Sequence, residues 1–255
     1  MSDNSVKSPL WIIGASQGIG EALAHRAARA GATVAISARS SEKLEAVAAA
    51  DPSGRIHPFA CDVMDPDAVA KTMAAIEEKL GPIGTAVMNA GTHKETPIDD
   101  FRAADVKKIF TLNVFGAAIV LEALMPKMIA RGVGHLALVS SVAGYRGLPK
   151  AAAYCGSKAA VIAMAESLKT ELDGRGVKMQ VICPGFVRTP LTDQNDFDMP
   201  YLMEPEDAAN RIWDGLNSDR FEIAFPTRFV LQLKTLRALP PGAYFPLIRK
   251  ATGIS

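Results

Sequence analysis

Cysteine is scarce in this chain: Cys61, Cys155 and Cys183 are three among 255 residues. So few build no disulfide framework and fit a reducing compartment. A chain of this length does not need one, because it buries a substantial core unaided. Histidine is almost as rare, and His25, His57, His93 and His135 show no metal-ligand spacing with one another or with cysteine, so no metal site is expected. An excess of one charge is also missing. Lys+Arg 28 against Asp+Glu 27 leaves a net +1, which argues against a general nucleic-acid binder. No window offers the roughly 18 or more uninterrupted apolar residues of a membrane span. Residues 1–9 are polar, and the short apolar run behind them falls below the length of a signal-peptide core. A cytoplasmic location is the expectation.

What the chain has is an alternation of short apolar runs and longer helical patterns. Leu10-Trp11-Ile12-Ile13 reads as a strand, followed by a helix from Gly18 to Ala30 that Gly31 stops. Ala32–Ser37 is the next strand, and Ser41–Ala50 the next helix. Strand patterns recur at Arg55–Ala60, Thr85–Asn89, Gly134–Ser140 and Lys178–Cys183. Helical patterns fill the gaps at Asp65–Leu80, Asp99–Arg131 (one helix or two), Ala153–Asp173 and Pro205–Leu216. Repeated strand–helix–strand units with right-handed crossovers form a parallel sheet covered on both faces. The strands lack polar/apolar alternation, as such burial requires. The expected fold is α/β: one doubly wound, Rossmann-type parallel sheet in residues 1–225, with residues 226–255 as a C-terminal extension of the same domain.

Gly14-Ala15-Ser16-Gln17-Gly18-Ile19-Gly20 lies between the first strand and the first helix. Glycine turns the chain tightly and lets backbone N–H groups approach a pyrophosphate, while the helix N-terminus adds partial positive charge. Glycines also serve plain turns, so it is the placement that points to a dinucleotide. The spacing is G-x3-G-x-G rather than the commoner G-x-G-x-x-G.

Tyr154 and Lys158 stand four residues apart within a helical pattern, so their side chains share one face. A free tyrosine has a pKa near about 10, too high for a base at neutral pH. A neighbouring ammonium is expected to favour the phenolate and lower that value. Such a phenol donates a proton to a carbonyl oxygen or takes one from an alcohol. In isolation, a Y-x3-K pair is more often an interfacial tyrosine beside a solvated lysine.

Taken together, these motifs resemble the short-chain dehydrogenase/reductase family, over Leu10 to about Leu216. Asn89-Ala90-Gly91 is similar to its motif after the fourth strand, and Asn113 to its helical asparagine. Ser140-Ser141, Tyr154-Cys155-Gly156-Ser157-Lys158 and Pro184-Gly185-Phe186-Val187-Arg188-Thr189 follow in the family's order. The resemblance implies a catalytic set of Asn113, Ser141, Tyr154 and Lys158. Ser141, 13 positions before Tyr154, would orient the substrate oxygen, with Ser140 as fallback. Asn113 would hold a proton-relay water. By the same resemblance Gly14, Ser16, Gln17, Gly18, Ile19 and Gly20 would bind the cofactor, with Asp62 and Val63 at the adenine. Asn89, Ala90 and Gly91, then Pro184, Gly185, Val187 and Thr189, and Tyr154 and Lys158 themselves would complete the contacts. As bare residues, Asp62 reads equally as a turn former and Ser140-Ser141 as a cap.

The second strand ends in Ser37-Ala38-Arg39-Ser40. A carboxylate there would accept from a ribose 2′-OH and repel a 2′-phosphate. None is present, and Arg39 offers a planar cationic fork, which favours NADP(H) over NAD(H). Gln17 stands where many NADP-dependent relatives carry a second basic residue. The expected activity is an NADP-dependent oxidoreductase acting between a carbonyl and an alcohol. The alternative is a non-catalytic NADP(H)-binding sensor or scaffold.

The substrate end is less specified. Phe197, Met199, Tyr201, Leu202 and Met203 form a partly apolar stretch that reads as a pocket wall or as packing. The segment after Glu222 contains Arg228, Lys234, Arg237, Arg249 and Lys250 and no acidic residue. Within it Phe229, Leu233 and Leu236 follow helical spacing. That stripe either packs on its own domain or a sister subunit, or meets an anionic membrane surface. The family resemblance implies a homodimer or homotetramer.

Overall fold

Leu10–Ile13 is buried along its whole length, which is possible only for a strand covered on both faces. It lies at the centre of a computed structural model that describes residues 5–193 and 198–253. Seven strands form one parallel sheet: β1 (Leu10–Ile13), β2 (Val34–Ser37), β3 (Ile56–Pro58), β4 (Thr85–Met88), β5 (Gly134–Val139), β6 (Val177–Pro184) and β7 (Glu222–Phe225). Their order across the sheet is β3-β2-β1-β4-β5-β6-β7. The sheet grows outward in both directions from β1, as the doubly wound expectation requires.

Alternate residues of each strand feed two cores. Trp11, Ile13, Leu136 and Leu138 face one side with α3 (Pro66–Leu80), α5 (Gly116–Arg131) and α6 (Ala152–Leu172). Leu10, Ile12 and Ile36 face the other with α1 (Gly18–Arg29), α2 (Ser41–Ala49) and α7 (Pro205–Leu216). Helix starts follow local chemistry. Asp65 accepts from the Asp67 and Ala68 amides ahead of Pro66, and Ser40 accepts from the Lys43 amide.

The stretch read as one helix or two is α4 (Ala103–Phe110) and α5 joined by a π-helical turn, Thr111–Phe115. Among the described residues this continuous run, Ala103–Arg131, is the one helix long and apolar enough to cross a bilayer. Here Val120, Leu121, Leu124 and Met128 bury themselves against the sheet.

β7 has no counterpart in the sequence expectations. It is a four-residue edge strand whose burial alternates from the half-exposed Glu222 to the buried Phe225, so its apolar signal is weak. Its partner is β6, with Val181 opposite Glu222. The extension beyond it folds as α8 (Thr227–Ala238) and α9 (Pro241–Thr252).

Candidate functional site

β1 pairs with β2 on one side and β4 on the other, so the chain leaves the carboxyl ends of β1 and β4 in opposite directions and opens a crevice between them. Gly14 occupies the rim of β1 with φ +85°, and a Cβ there would come within 2.6 Å of the Ala90 backbone. A Cβ on Gly20 would collide with the Gly14 carbonyl oxygen. These glycines are what let α1 start against the strand ends. Asn89 then locks the arrangement, its Nδ2 donating to the Gly14 carbonyl at 2.6 Å.

The crevice is a cavity of about 410 Å³. Gly14, Ser16, Gln17, Gly18 and Ile19 border it from the first crossover. Asn89, Ala90 and Gly91 border it from β4, Asp62 and Val63 from beyond β3, and Thr189 from beyond β6. Gln17 precedes α1 without capping it, so the first-turn N–H groups of that helix have no side-chain acceptor there. That is the donor set a diphosphate takes. Gly20, Pro184, Gly185 and Val187 do not border the cavity. Gly20 instead permits the close strand–helix approach, and Val187 is buried in a bridge to Met203. Asp62 borders the cavity and also forms its turn, its Oδ1 accepting from the Met64 amide at 3.0 Å.

Arg39 and Ser40 border the end of the cavity beyond β2, and Lys43 joins them. Lys43 is the residue that sequence reasoning missed. Its Nζ donates to Gln17 Oε1 at 3.4 Å, which brings a second cation to the glycine loop whose own Gln17 is neutral. The available signal was its spacing: Lys43 lies four positions after Arg39, in the first turn of α2.

At the inner end the cavity passes Gly91, where a Cβ would be 3.3 Å from Asn113 Oδ1 and 3.5 Å from Lys158 Nζ. Here Asn113 from the π-helical turn, Ser141 from the end of β5, and Tyr154 and Lys158 from α6 come together. Lys158 is buried, and its Nζ donates to the Val139 carbonyl at 2.9 Å. The same Nζ lies 5.7 Å from the Tyr154 ring centroid. Ser141 starts a short 3₁₀ turn: its Oγ accepts from the Ala143 amide at 3.1 Å and donates to the Pro184 carbonyl at 3.4 Å, beside the Tyr154 phenol whose pKa it lowers. Ser140 points away, its Oγ donating to the Lys158 carbonyl at 2.7 Å, which removes it as the fallback. Cys155 also turns aside, its Sγ accepting from the Leu148 amide.

Asn113 sits in the π-helical turn, a feature frequent at functional sites. Its Oδ1 accepts from the Thr92 amide at 2.7 Å, and its Nδ2 donates to the Thr92 carbonyl and to Ser157 Oγ, both at 3.0 Å. The side chain is a clamp between the β4 loop and α6.

One expectation requires correction. Burial pushes Tyr154 up to about 12 and Lys158 down to about 8, rather than the ammonium lowering the phenol. Desolvation disfavours both charged forms, and the Ser141 hydroxyl is the group that pulls Tyr154 back down. The protein alone therefore holds a protonated phenol at neutral pH.

The extension packs on the body of the protein beside β6 and the loop after β5. Phe229 stacks on Phe186 at 5.6 Å and approaches Tyr201 at 5.9 Å between centroids. Leu233 and Leu236 pack on Val142 and Tyr145, so the apolar stripe faces the body of the protein. Arg146 Nη1 donates to the Leu236, Arg237 and Leu239 carbonyls, and its guanidinium lies 3.7 Å above the Tyr244 ring. Tyr145 donates to Glu222, which also pairs with Lys234. Of the stretch read as a pocket wall, Phe197 lies outside the described residues.

Comparison with known proteins agrees with this geometry. Residues 10–199 match the family model described as short chain dehydrogenase. An uncharacterized oxidoreductase of Myxococcus xanthus is 37% identical over 242 residues, covering 94% of this chain and 95% of that protein. A 3beta-hydroxysteroid dehydrogenase of Mediterraneibacter gnavus is 36% identical, covering 76% of this chain and 71% of that protein. A short-chain dehydrogenase of Sphingobium yanoikuyae, solved in complex with NADPH, superposes with a TM-score of 0.79 at 26% identity, covering 94% of this chain and 95% of that one. Since the match runs through the crevice, the glycine loop and the Tyr154 helix alike, the chain belongs to the short-chain dehydrogenase family, oxidoreductases that act between hydroxyl and carbonyl groups with a nicotinamide cofactor.

Proposed function

We propose that the protein is an NADP-dependent oxidoreductase that interconverts a ketone or aldehyde with its alcohol, using Tyr154 as general acid/base. The observation that carries this reading is the convergence of Ser141, Tyr154 and Lys158 around a phenol kept protonated. When bound, the nicotinamide would supply or accept the hydride at the reacting carbon. The protein's own groups do the rest.

Ser141 and Tyr154 both present hydroxyls to the substrate oxygen. In the reducing direction Tyr154 donates its proton to that oxygen, and the phenolate left behind is stabilised by the buried Lys158 ammonium and the Ser141 hydroxyl. In the oxidising direction the same groups take the proton back. Asn113 keeps the β4 loop and α6 in register, so that the phenol meets the bound ring. NADP is favoured over NAD by Arg39 and Lys43, the two cations at the adenosine end. The resemblance to a hydroxysteroid dehydrogenase, together with the apolar cluster of Phe186, Tyr201 and Phe229 in the segment after β6, favours a bulky apolar carbonyl as substrate.

The test is Tyr154→Phe, which keeps the ring and removes the proton. NADPH-dependent reduction across a carbonyl panel should fall by about 10²–10⁴-fold with cofactor affinity retained. Wild-type turnover in a folded variant would refute the assignment.

A further inference from the structure

His93 lies outside the four-residue set described above, yet it touches that set's central member. Its ring meets the Tyr154 ring edge to face, with centroids 4.8 Å apart and planes at 76°. That is the arrangement aromatic pairs prefer, the positive edge of one ring against the electron-rich face of the other.

The segment carrying His93 is held at both ends. Thr92 exchanges two hydrogen bonds with the Asn113 side chain, at 2.7 and 3.0 Å. Three residues beyond His93, the buried Thr96 donates its amide to the Lys150 carbonyl at 2.7 Å, and its hydroxyl accepts from the Ala153 amide. Both anchors lead back to the elements that surround Tyr154: the π-helical turn on one side and the start of α6 on the other. His93 is therefore presented to the phenol by a braced loop.

Its nitrogen chemistry is not what ties it there. Nδ1 is buried and makes no hydrogen bond among the described residues. Burial also disfavours the imidazolium, which keeps the ring neutral and compatible with stacking. What remains is the ring itself.

The neighbouring Ser141 hydroxyl acts on the phenol oxygen, but that oxygen lies on the long axis of the ring. That interaction does not by itself restrain the sideways swing of the ring. Proton transfer depends on that swing, because a displacement of about 1 Å can cost about 10²-fold in rate. We propose that His93 is a positioning residue for Tyr154: the edge-to-face contact of the two rings fixes the attitude of the phenol from the β4 side while Ser141 acts on the hydroxyl from the β5 side.

This inference rests on Tyr154 acting as the proton donor, so Tyr154→Phe is measured alongside. The probes are ethyl acetoacetate, cyclohexanone and acetophenone with NADPH, using whichever turns over fastest. His93→Ala should lower kcat about five- to tenfold, the loss of one aromatic pair, with the KM for NADPH unchanged. The solvent deuterium isotope effect on kcat should rise, as proton delivery becomes slower. His93→Phe, which keeps the ring and discards both nitrogens, should return kcat to within about twofold of wild type.

The proposal is overturned if His93→Ala turns over like the wild type, or if His93→Phe is as slow as His93→Ala. Should His93→Ala fail to fold, His93→Leu fills the space without an aromatic edge, and a Leu variant as fast as the Phe variant also overturns it. An inactive Tyr154→Phe beside an unimpaired His93→Ala defeats this inference alone. An active Tyr154→Phe defeats the acid/base assignment beneath it.

Discussion

Arg39 and Lys43 give the most quantitative test of cofactor choice. Both border the end of the crevice beyond β2, and neither forms a salt bridge among the described residues, so each would be available to a 2′-phosphate placed there. A charge-assisted hydrogen bond contributes about 1.5–3 kcal/mol when well shielded. Both side chains are exposed, so solvent screening brings the expected contribution of Arg39 down to about 1.4 kcal/mol, a tenfold effect. Arg39→Ala should therefore reduce kcat/KM for NADPH about tenfold and leave the value for NADH within about twofold. Lys43→Ala should cost less, about threefold, because an ammonium makes a single point contact rather than a fork. The double variant should fall short of the product of the two effects, since both cations act on one phosphate. The assay is initial-rate kinetics with each cofactor at low and high salt. The NADPH advantage should shrink as salt rises, and the double variant should lose that dependence. An unchanged NADPH/NADH ratio in the double variant, or a wild type that prefers NADH, would refute the reasoning.

Three further outcomes are expected. Ser141→Ala removes the group that pulls Tyr154 down, so the phenol should titrate still higher and the alkaline rise of alcohol oxidation should move to higher pH; a pH–rate profile with an unshifted limb would contradict this. Lys158 stands at about 8 against an ordinary value of 10.5, so between these pH values the unfolded chain binds more protons and stability rises with pH. It follows that Lys158→Met, by removing a buried ammonium, should raise Tm at neutral pH while abolishing turnover; a lower Tm would mean that the bond to the Val139 carbonyl outweighs the burial of charge. Arg146→Ala frees three carbonyls at the end of α8 and the face of Tyr244, an expected loss of about 2 kcal/mol, or roughly 4–8 °C in Tm for a chain of this size, read by calorimetry; an unchanged Tm would show that α8 and α9 are held by their apolar contacts alone.

The residues that were legible in advance are those whose chemistry depends on local spacing. The glycine loop could be read because its demands are backbone demands, met within seven residues. The Tyr154–Lys158 pair could be read because one helical turn is a fixed distance. The direction of the Tyr154 shift could not, since burial is a property of everything packed around the phenol, and it outweighed the one charge visible in the sequence. Lys43 was hidden for a related reason. It meets Gln17 only where the first two crossovers come together, 26 residues apart along the chain. β7 escaped notice because a short edge strand needs apolar residues on one face only, which leaves too weak a pattern to separate from a loop.

The sequence by itself determined the order of the first six strands and the helices between them, the burial of the sheet on both faces and the placement of a glycine turn at the first crossover, because each follows from periodicity and from what a backbone can do over a few residues. Tertiary structure alone decided which groups share a site. Asn113, Ser141 and Tyr154 arrive from three separate elements, His93 leans on the phenol from a fourth, and Arg146 ties α8 and α9 to the loop that follows Ser141. The physical reason is that desolvation and hydrogen-bond geometry act through space, and chain distance carries no record of either.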